Sequence, residues 1–367
     1  MTIHPVSPNT VLANALVATE DVLAPRIHSA RPERIAFVVG TQINGVPHLG
    51  TSLVQSLTFA AADRVRERFD IPVEVVFGAL DNAPHEIVVD PASGHRYQRA
   101  YAQALGEAAL ADQVDDLYRP LFDALSGRLS IPYSIEMYSR QQQTEQFRLT
   151  WLRAHRRIDG ARWWLDPAHG TPHVPCPQPG CGWAEKGAER TRVLLGDNYA
   201  EVSAVCLHHG PYEVVIAPDG GGYLDLATLY RNLVKELAAG ADRDRLSVMV
   251  KGGDWVFGST LVDNALTAIG LTAGQLPTRL FCPQVVTDTG AKLSKSLIRD
   301  GKASLPAGSA PWMLDTRMWP GSLSEYADRL LEMADVLLSD PRHFFRSYSA
   351  GELGRLMSQS TRSVTTP

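Results

Sequence analysis

The stretch that decides the fold is Arg34-Ile35-Ala36-Phe37-Val38-Val39-Gly40, followed by Pro47-His48-Leu49-Gly50-Thr51. The apolar run predicts a buried strand, and the residues from Leu49 to Phe69 predict a helix. The second stretch then forms the corner between them. Free N–H groups and the dipole at the start of a helix attract anions, so a histidine and small residues at this corner suit the phosphates of a nucleotide.

A second informative segment, Lys292-Leu293-Ser294-Lys295-Ser296, follows Thr289-Gly290 and predicts a loop. Two lysines and two hydroxyl groups on a loop can hold phosphates while charge moves during a displacement. The alternative is a surface loop here and an ordinary turn at Gly50. The order of the two segments and the strand–turn–helix context favour a nucleotide site.

Apolar runs that predict strands alternate with helical stretches along the chain. After the first strand and helix, the predicted strands are 72–78, 133–138, 246–251 and 279–283. The other predicted helices are roughly 11–23, 96–126, 141–156, 260–269 and 322–338. This alternation predicts an α/β fold with a doubly wound parallel sheet of the Rossmann type, whose ligands bind at the carboxyl ends of the strands.

The same patterns divide the sequence into five segments. We expect a polar leader at 1–33, the first half of the Rossmann-like domain at 34–158, an insertion at 159–223 and the second half of the domain with the lysine loop at 224–297. A short C-terminal extension follows at 298–367, and its last residues, 358–367, are expected to be a disordered tail. The insertion is rich in Gly, Pro, Cys and His, which indicates a subdomain with its own stabilising device.

The composition excludes several classes of protein. Hydrophobic residues make up 44% and charged residues 20%, as in ordinary globular proteins. The net charge of −5 gives no general nucleic-acid footprint, so any RNA contact must be local. No apolar run reaches membrane-spanning length, and the N-terminus lacks a signal-peptide pattern. We therefore expect a cytoplasmic protein with no membrane partner.

The insertion carries candidate metal ligands. Cys176 and Cys181 form one close pair, and Cys206 lies close to His208 and His209. Two such pairs across a hairpin are typical of a zinc ribbon, which needs four ligands. His209 is the favoured fourth ligand because it completes a short knuckle with Cys206, and His208 is the substitute. The predicted role of Zn²⁺ is structural, since a small insertion has too little core to fold unaided. Free cysteines in a packed insert are the alternative.

Between the two segments lies Val250-Lys251-Gly252-Gly253-Asp254-Trp255, which places glycines and a carboxylate at a strand end. Taken together, the corner at His48, this segment and the Lys292–Ser296 loop resemble the catalytic domain of class I aminoacyl-tRNA synthetases, with their HIGH and KMSKS signatures. The cysteine-bearing insertion makes the sequence most similar to class I lysyl-tRNA synthetases. The resemblance spans roughly residues 35–297.

The resemblance implies roles for individual residues. His48 would contact the ATP phosphates, and Lys292 and Lys295 would neutralise charge as pyrophosphate leaves. The residues implied in ATP binding are Gly50, Thr51, Asp254, Ser294 and Ser296. Those implied in binding the amino acid are Thr41, Gln42, Asp81 and Trp255. Simpler roles stay open: a helix cap for His48 and Asp254, packing for Trp255, and a turn at Asp81.

The activity implied is that of an ATP-dependent ligase. An amino acid, possibly lysine or another basic one, would be activated as an aminoacyl-adenylate with ATP and Mg²⁺. The acyl group would then pass to a small amine or a carrier protein. The alternatives are a synthetase that charges the tRNA acceptor end without reading the anticodon, a nucleotidyltransferase of the same superfamily, and a non-catalytic regulatory relative. The basic run at Arg153, His155, Arg156 and Arg157 would suit the tRNA alternative.

The sequence departs from the family pattern at three points. Thr51 replaces the second histidine of the first signature, and Leu297 follows the lysine motif where glycine or a polar residue is common. The 70 residues after Leu297 are expected to be too few for an anticodon-binding domain. The sequence fixes neither the amino acid, nor the acceptor, nor the oligomeric state.

Overall fold

The computed structural model describes residues 17–165, 172–287, 290–293 and 309–358. The strands are β1 (Arg34–Gln42), β2 (Val73–Leu80), β3 (Pro84–Val89), β4 (Arg96–Ala100), β5 (Tyr133–Met137), β6 (Trp183–Glu185), β7 (Arg192–Leu195), β8 (Ala200–Cys206), β9 (Gly210–Ala217), β10 (Gly220–Gly221), β11 (Arg245–Gly252), β12 (Thr278–Cys282), β13 (Val285–Val286) and β14 (Tyr348–Ser349).

The helices follow the same order along the chain. They are α1 (Thr19–Ala30), α2 (Leu49–Phe69), α3 (Tyr101–Leu105), α4 (Glu107–Leu117), α5 (Arg119–Leu129), α6 (Tyr138–Gln141), α7 (Glu145–His155), α8 (Ile158–Leu165), α9 (Thr228–Ala239), α10 (Val256–Ala268), α11 (Leu323–Ser339), α12 (Pro341–Phe345) and α13 (Ala350–Ser358). Single 3₁₀ turns include Gly253–Trp255, between β11 and α10.

The centre of the molecule is a five-stranded sheet in the order β12-β11-β1-β2-β5. All four pairings are parallel. Its strands are buried and rich in β-branched and aromatic residues, as expected for a parallel sheet covered on both faces. The order reverses beside β1, so the crevice beyond the carboxyl ends of β1 and β11 is the expected ligand site. The predicted α/β class with a central parallel sheet is confirmed.

Two groups of helices flank this sheet. Helices α2, α5 and α11 pack together over one buried core, and α7, α9 and α10 pack over a second. Helix α2 follows β1 and begins at the edge of the crevice. Helix α9 precedes β11 in the chain. The two helices therefore bring residues to the same crevice from different parts of the chain.

Smaller antiparallel sheets lie outside the central one. Strands β7 to β10 form a four-stranded sheet within the predicted insertion. Strand β6 of the insertion pairs with β4, which itself pairs with β3. The insertion is thereby fastened to a hairpin of the first half of the chain.

The structure corrects several predicted elements. The helix predicted over 96–126 begins as strand β4, because Arg96–Ala100 pairs with β3 and β6. Thr41 and Gln42, expected just past the first strand, are its last two residues and pair with β2. The leader helix predicted over 11–23 is observed at Thr19–Ala30, and its first six positions, 11–16, lie outside the described residues.

The C-terminal extension holds more helix than predicted. Besides α11, whose cap Ser322 forms a capping box with Glu325, it contains α12 and α13. Ser358, predicted to begin the disordered tail, is the last residue of α13, and 359–367 lie outside the described residues. In the part of the chain that the structure describes, no helix is long and apolar enough to cross a membrane.

Candidate active site

The start of α2 forms one wall of the crevice. His48 is the N-cap residue, and its Nδ1 accepts a 3.1 Å hydrogen bond from the N–H of Gly50. A Cβ at position 50 would lie 3.0 Å from Cε1 of the imidazole, so any larger residue there would push the ring out of this position by a few tenths of an ångström. The first-turn N–H of Thr51 bonds to the carbonyl of His48 at 2.8 Å. The corner thus combines a helix dipole with an imidazole.

The opposite wall is formed by the turn after β11 and a hairpin. Lys292 donates to the Asp254 carboxylate, although the two residues lie 38 positions apart in the sequence. The backbone of Lys292 forms an antiparallel β-bridge with Val286. The neighbouring Val285 approaches α2, because a Cβ added at Gly50 would lie 3.4 Å from Cβ of Val285. The hairpin that carries the lysine therefore packs against the start of α2. Ser294, Lys295 and Ser296 lie outside the described residues.

Between these walls lies a cleft of about 690 Å³. It is lined by the following sequence-predicted residues: Thr41, Gln42, His48, Gly50, Thr51, Asp254, Trp255 and Lys292. The ammonium of Lys251 sits 5.3 Å from the centroid of the Trp255 ring, which is a cation–π contact. The structure thus brings together residues from three distant segments, while Asp81 is absent from this lining.

Asp81 lies in the interior instead. It is fully buried and accepts a 3.0 Å hydrogen bond from the N–H of Ser139. Burial raises the pKa of this carboxyl to about 6. Asp81 therefore holds the start of α6 in place, and the structure gives it no direct route to a ligand in the cleft.

Helix α9 contributes residues that the sequence analysis missed. Thr228, Arg231, Asn232 and Lys235 recur at helical spacing and all line the cleft. A Cβ at Gly78 on β2 would lie 3.2 Å from Nζ of Lys235, so the ammonium rests directly on the sheet. The helical spacing of these polar residues in the sequence could have indicated that this side of α9 faces a polar cleft.

A second cavity of about 660 Å³ adjoins the cleft and shares Gln42, Thr228 and Arg231 with it. Its floor contains the fully buried carboxylate of Asp225, which accepts 2.7 Å and 3.3 Å hydrogen bonds from the amides of Asn82 and Gln98. Burial raises the pKa of Asp225 to about 7. The two cavities therefore lie side by side, and His48 and Lys292 line the first cleft but not the second cavity.

The predicted metal ligands converge in the insertion. The donor atoms of Cys176, Cys181, Cys206 and His209 all lie within 4.8 Å of one another. The Cys181 and Cys206 sulfurs are 3.5 Å apart, and Nδ1 of His209 is 3.5 Å from the Cys176 sulfur and 3.6 Å from that of Cys206. Zn–S bonds of about 2.3 Å and Zn–N bonds of about 2.0 Å in a tetrahedron give edges of about 3.5–3.8 Å. The residues therefore fit a tetrahedral ion.

His208, the substitute ligand, points elsewhere. Its backbone N–H donates to the Cys206 sulfur at 3.4 Å, and its ring packs edge-on against Trp183. Cys282 lies buried in β12, away from the cluster. The geometry therefore selects His209.

The basic run near the insertion serves mostly structural purposes. His155 is buried, and burial lowers its pKa to about 4. Arg156 donates to the carbonyl of Gly196, and Arg157 donates to the carbonyl of Ile269, both at 2.9 Å. Among the described residues of this run, Arg153 is the one that is exposed and forms no side-chain hydrogen bond or ion pair.

No protein-family model matches the sequence, and no curated protein matches it. Solved structures with a similar course of the chain are aminoacyl-tRNA synthetases. A methionyl-tRNA synthetase of Mycobacterium tuberculosis bound by methionyl-adenylate is 14% identical over 90% of this chain and 69% of that chain, with a TM-score of 0.45. A tyrosyl-tRNA synthetase from Archaeoglobus fulgidus complexed with L-tyrosine is 16% identical over 97% of this chain and 98% of that chain, with a TM-score of 0.41. At such TM-scores the likeness by itself assigns no activity to this chain.

Proposed function

We propose that this protein activates an amino acid with ATP, forming an aminoacyl-adenylate and pyrophosphate, and then transfers the acyl group to an acceptor. One observation carries the proposal: His48, Asp254 and Lys292, from three distant segments, line one cleft at the carboxyl ends of β1 and β11. A helix N-terminus, an imidazole and a lysine on a hairpin are suited to a polyphosphate.

The proposed chemistry needs no nucleophilic side chain. A carboxylate oxygen of the amino acid attacks the α-phosphorus of ATP, and the bond from that phosphorus to the bridging oxygen of the β-phosphate breaks. Lys292 would exchange Asp254 for a phosphate oxygen, and His48 would donate to the phosphates as their charge shifts. The rate would come from positioning and preorganised positive charge. ATP would carry Mg²⁺, which neutralises part of the phosphate charge.

The ribose of ATP has a candidate partner in Asp254. The carboxylate stands in the one-turn 3₁₀ helix after β11, and a Cβ at Gly252 would lie 2.6 Å from its Oδ1, so glycine lets the carboxylate lie close to the end of the strand. When Lys292 turns to the phosphates, Asp254 becomes available to a ribose hydroxyl or an ammonium group. Lys295, Ser294 and Ser296 would add to phosphate binding by resemblance alone.

For the acceptor, we propose a small amine or a carrier protein that reaches the adenylate through the second cavity. The shared lining at Gln42 and Arg231 supports this route. A tRNA acceptor end is the second candidate, and the exposed ring of Trp163 at the start of the predicted insertion favours it, because 81% of that residue is exposed. The resemblance to lysyl-tRNA synthetases implies a basic amino acid as substrate.

We further propose that Zn²⁺ occupies the Cys176, Cys181, Cys206 and His209 cluster and has a structural role. The cluster lies in the insertion, outside the linings of both the cleft and the second cavity. It ties the loop before β6 to the turn between β8 and β9, which a small antiparallel sheet could not hold by its own core.

The test is exchange of labelled pyrophosphate into ATP, screened over the standard amino acids with and without total tRNA. Exchange with one amino acid and no RNA would establish adenylate formation. Exchange only with tRNA would favour the second candidate. ATP turnover without any amino-acid dependence would point to a nucleotidyltransferase. The proposal would be overturned if no exchange occurred under any condition and if His48→Ala bound ATP as well as the wild type.

A further inference from the structure

One face of α9 runs along the cleft as a polar stripe of Thr228, Arg231, Asn232 and Lys235. Residues spaced three and four positions apart lie on the same side of a helix. The Asn232 amide oxygen accepts a 2.9 Å hydrogen bond from Lys251 on β11. The stripe is therefore fixed against the central sheet, and it presents two cations one helical turn apart.

The nearby carboxylates are already committed to other cations. Glu236 accepts two hydrogen bonds from Arg279, at 2.8 Å and 2.5 Å, and lies 3.2 Å from the ammonium of Lys251. Asp263 pairs with the same arginine at 2.6 Å. Two carboxylates and two cations thus balance one another beneath α9, which leaves Arg231 and Lys235 outside that network.

Neither Arg231 nor Lys235 forms an ion pair with any carboxylate among the described residues. Arg231 is buried, donates one long 3.5 Å hydrogen bond to the carbonyl of Leu226, and lies over the Tyr138 ring at 5.7 Å. The pKa of Lys235 is lowered to about 8, mainly by burial and also by the neighbouring cations Arg231 and Lys251, while the carboxylates of Glu136 and Glu236 oppose this shift. Two like charges at this spacing, removed from water, are unfavourable unless an anion joins them.

We infer that Arg231 and Lys235 bind a carboxylate on the side chain of the substrate, so that the amino acid activated is an acidic one. This inference rests on the proposed function and deepens it. The ammonium of Lys235 lies against Gly78 at the carboxyl end of β2, beside Thr41 and Gln42. The inference places the amino acid there, with its side chain directed at α9.

The anion is not the carboxylate that reacts. A cation bound to the attacking carboxylate would stabilise the ground state more than the transition state, in which that charge has moved to phosphate. It is also distinct from the ATP phosphates, whose candidate partners belong to the start of α2 and the Lys292 hairpin. A second carboxylate on the substrate satisfies both cations without opposing the reaction.

A basic substrate would need an anionic wall in the same place. Among the described residues, three carboxylates line the cleft. Asp254 is paired with Lys292, and Glu236 is paired with Arg279 and Lys251. Glu136 is exposed and accepts a 3.4 Å hydrogen bond from Gln141. On α9 the cleft is lined by the buried Arg231 and the half-buried Lys235, while the buried carboxylate of Glu236 is already paired. The charge of the cleft therefore opposes the basic amino acid implied by the family resemblance.

The test measures direct binding of amino acids to the full-length protein by calorimetry, without ATP. L-glutamate and L-aspartate are compared with L-glutamine, L-asparagine and L-lysine. We expect one acidic amino acid to bind at least ten-fold more tightly than its amide. Lys235→Gln should weaken that binding about ten- to one-hundred-fold, the effect of losing one charged hydrogen bond, and should leave binding of the amide unchanged.

Two further variants keep the result interpretable. Lys235→Arg, which retains the charge, should recover most of the preference for the acid. Arg153→Gln, which removes an exposed cation from α7, should leave binding unchanged. Each of three results would overturn the inference. The protein could bind the acid and its amide equally, it could prefer lysine, or Lys235→Gln could lose ATP binding instead of binding of the acidic amino acid. Pyrophosphate exchange with another amino acid would do the same while leaving the proposed function intact. Acid-selective binding without any exchange would support the site and contradict the activity.

Discussion

At the scale of single residues, His48 has two separable roles. Its Nδ1 caps α2 by accepting the N–H of Gly50, and its ring lines the cleft. We predict that His48→Ala lowers the unfolding free energy by about 1 kcal/mol through loss of the cap. The rate of pyrophosphate exchange should fall about 100- to 1,000-fold, as when one transition-state donor is removed. Urea denaturation and exchange kinetics measure the two effects separately.

His48→Asn is the matched control, because asparagine is a good N-cap but lacks an imidazole. It should restore stability to near the wild-type value and leave exchange as slow as in His48→Ala. Recovery of exchange by His48→Asn would show that the ring itself does no chemistry and that capping is its whole contribution.

A second prediction at this scale concerns pH. In the folded protein burial raises the pKa of Asp225 to about 7, whereas an unfolded aspartate has a pKa of about 3.9. Between these values the folded state binds more protons, so stability falls as pH rises from about 4 to 7 and stays reduced above that. Asp225→Asn should be more stable than the wild type at pH 8, by on the order of a few kcal/mol, and should gain little at pH 4.

Thermal or urea unfolding across this pH range measures the effect. Asp81, whose pKa burial raises to about 6, acts in the same direction, so a residual pH dependence should persist in the variant. If the difference between Asp225→Asn and the wild type were the same at pH 4 and pH 8, the carboxyl would not be titrating as described.

At the scale of elements, α9 is anchored to the sheet by a buried ion network. Glu236 on α9 binds Arg279 of β12 and Lys251 of β11, and both Glu236 and Arg279 are almost fully buried. Removing one partner of a buried pair leaves the other charge uncompensated. We predict that Glu236→Gln lowers the unfolding free energy by about 3–5 kcal/mol, measured by urea denaturation.

Glu332 provides a comparison, because it pairs with Arg329 at 2.7 Å on the surface of α11. Glu332→Gln should cost less than about 1 kcal/mol, the usual value for an exposed pair. Similar losses in the two variants would mean that α9 is held by its apolar face alone and that the network beneath it contributes little.

The metal cluster makes a second prediction at the scale of elements. Purified protein should contain one zinc ion per chain, and a chelator should lower the melting temperature, since metal binding contributes to folding. His209→Ala should lose the metal, whereas His208→Ala, whose ring packs on Trp183, should keep it. Elemental analysis and thermal unfolding measure both. Full zinc content in His209→Ala would contradict the ligand set.

At the scale of the whole molecule, local sequence patterns predicted the strands of the central sheet. Strand β4 and the surroundings of Lys235 depend instead on contacts between distant parts of the chain. The strands ending at Gln42 and Gly252 could be read from apolar runs, because a covered parallel sheet needs them. The strand at 96–100 could not be predicted in this way, because it depends on pairing with β3 and with β6. Strand β6 lies some 85 positions further along the chain. Likewise Lys235 carries no motif. Helical spacing places it beside Arg231, but its position against Gly78 depends on packing that the sequence spacing does not show.

The same limit applied to the site residues. His48 and Lys292 belong to recognisable motifs, so they could be proposed before the fold was known. Asp81 follows a strand and looked equally suitable, but the packing of α6 buried it. A motif fixes the chemistry of a residue, whereas its accessibility depends on neighbours from elsewhere in the chain.

The central claim is that a carboxylate attacks the α-phosphorus of ATP in this cleft. The most direct measurement uses an amino acid whose carboxylate carries heavy oxygen, with hydroxylamine as the acceptor and mass spectrometry of the nucleotide product. Attack at the α-phosphorus predicts AMP that retains one heavy oxygen atom from the carboxylate, together with an amino-acid hydroxamate. Unlabelled AMP, or ADP in its place, would contradict adenylate formation and with it the proposed function.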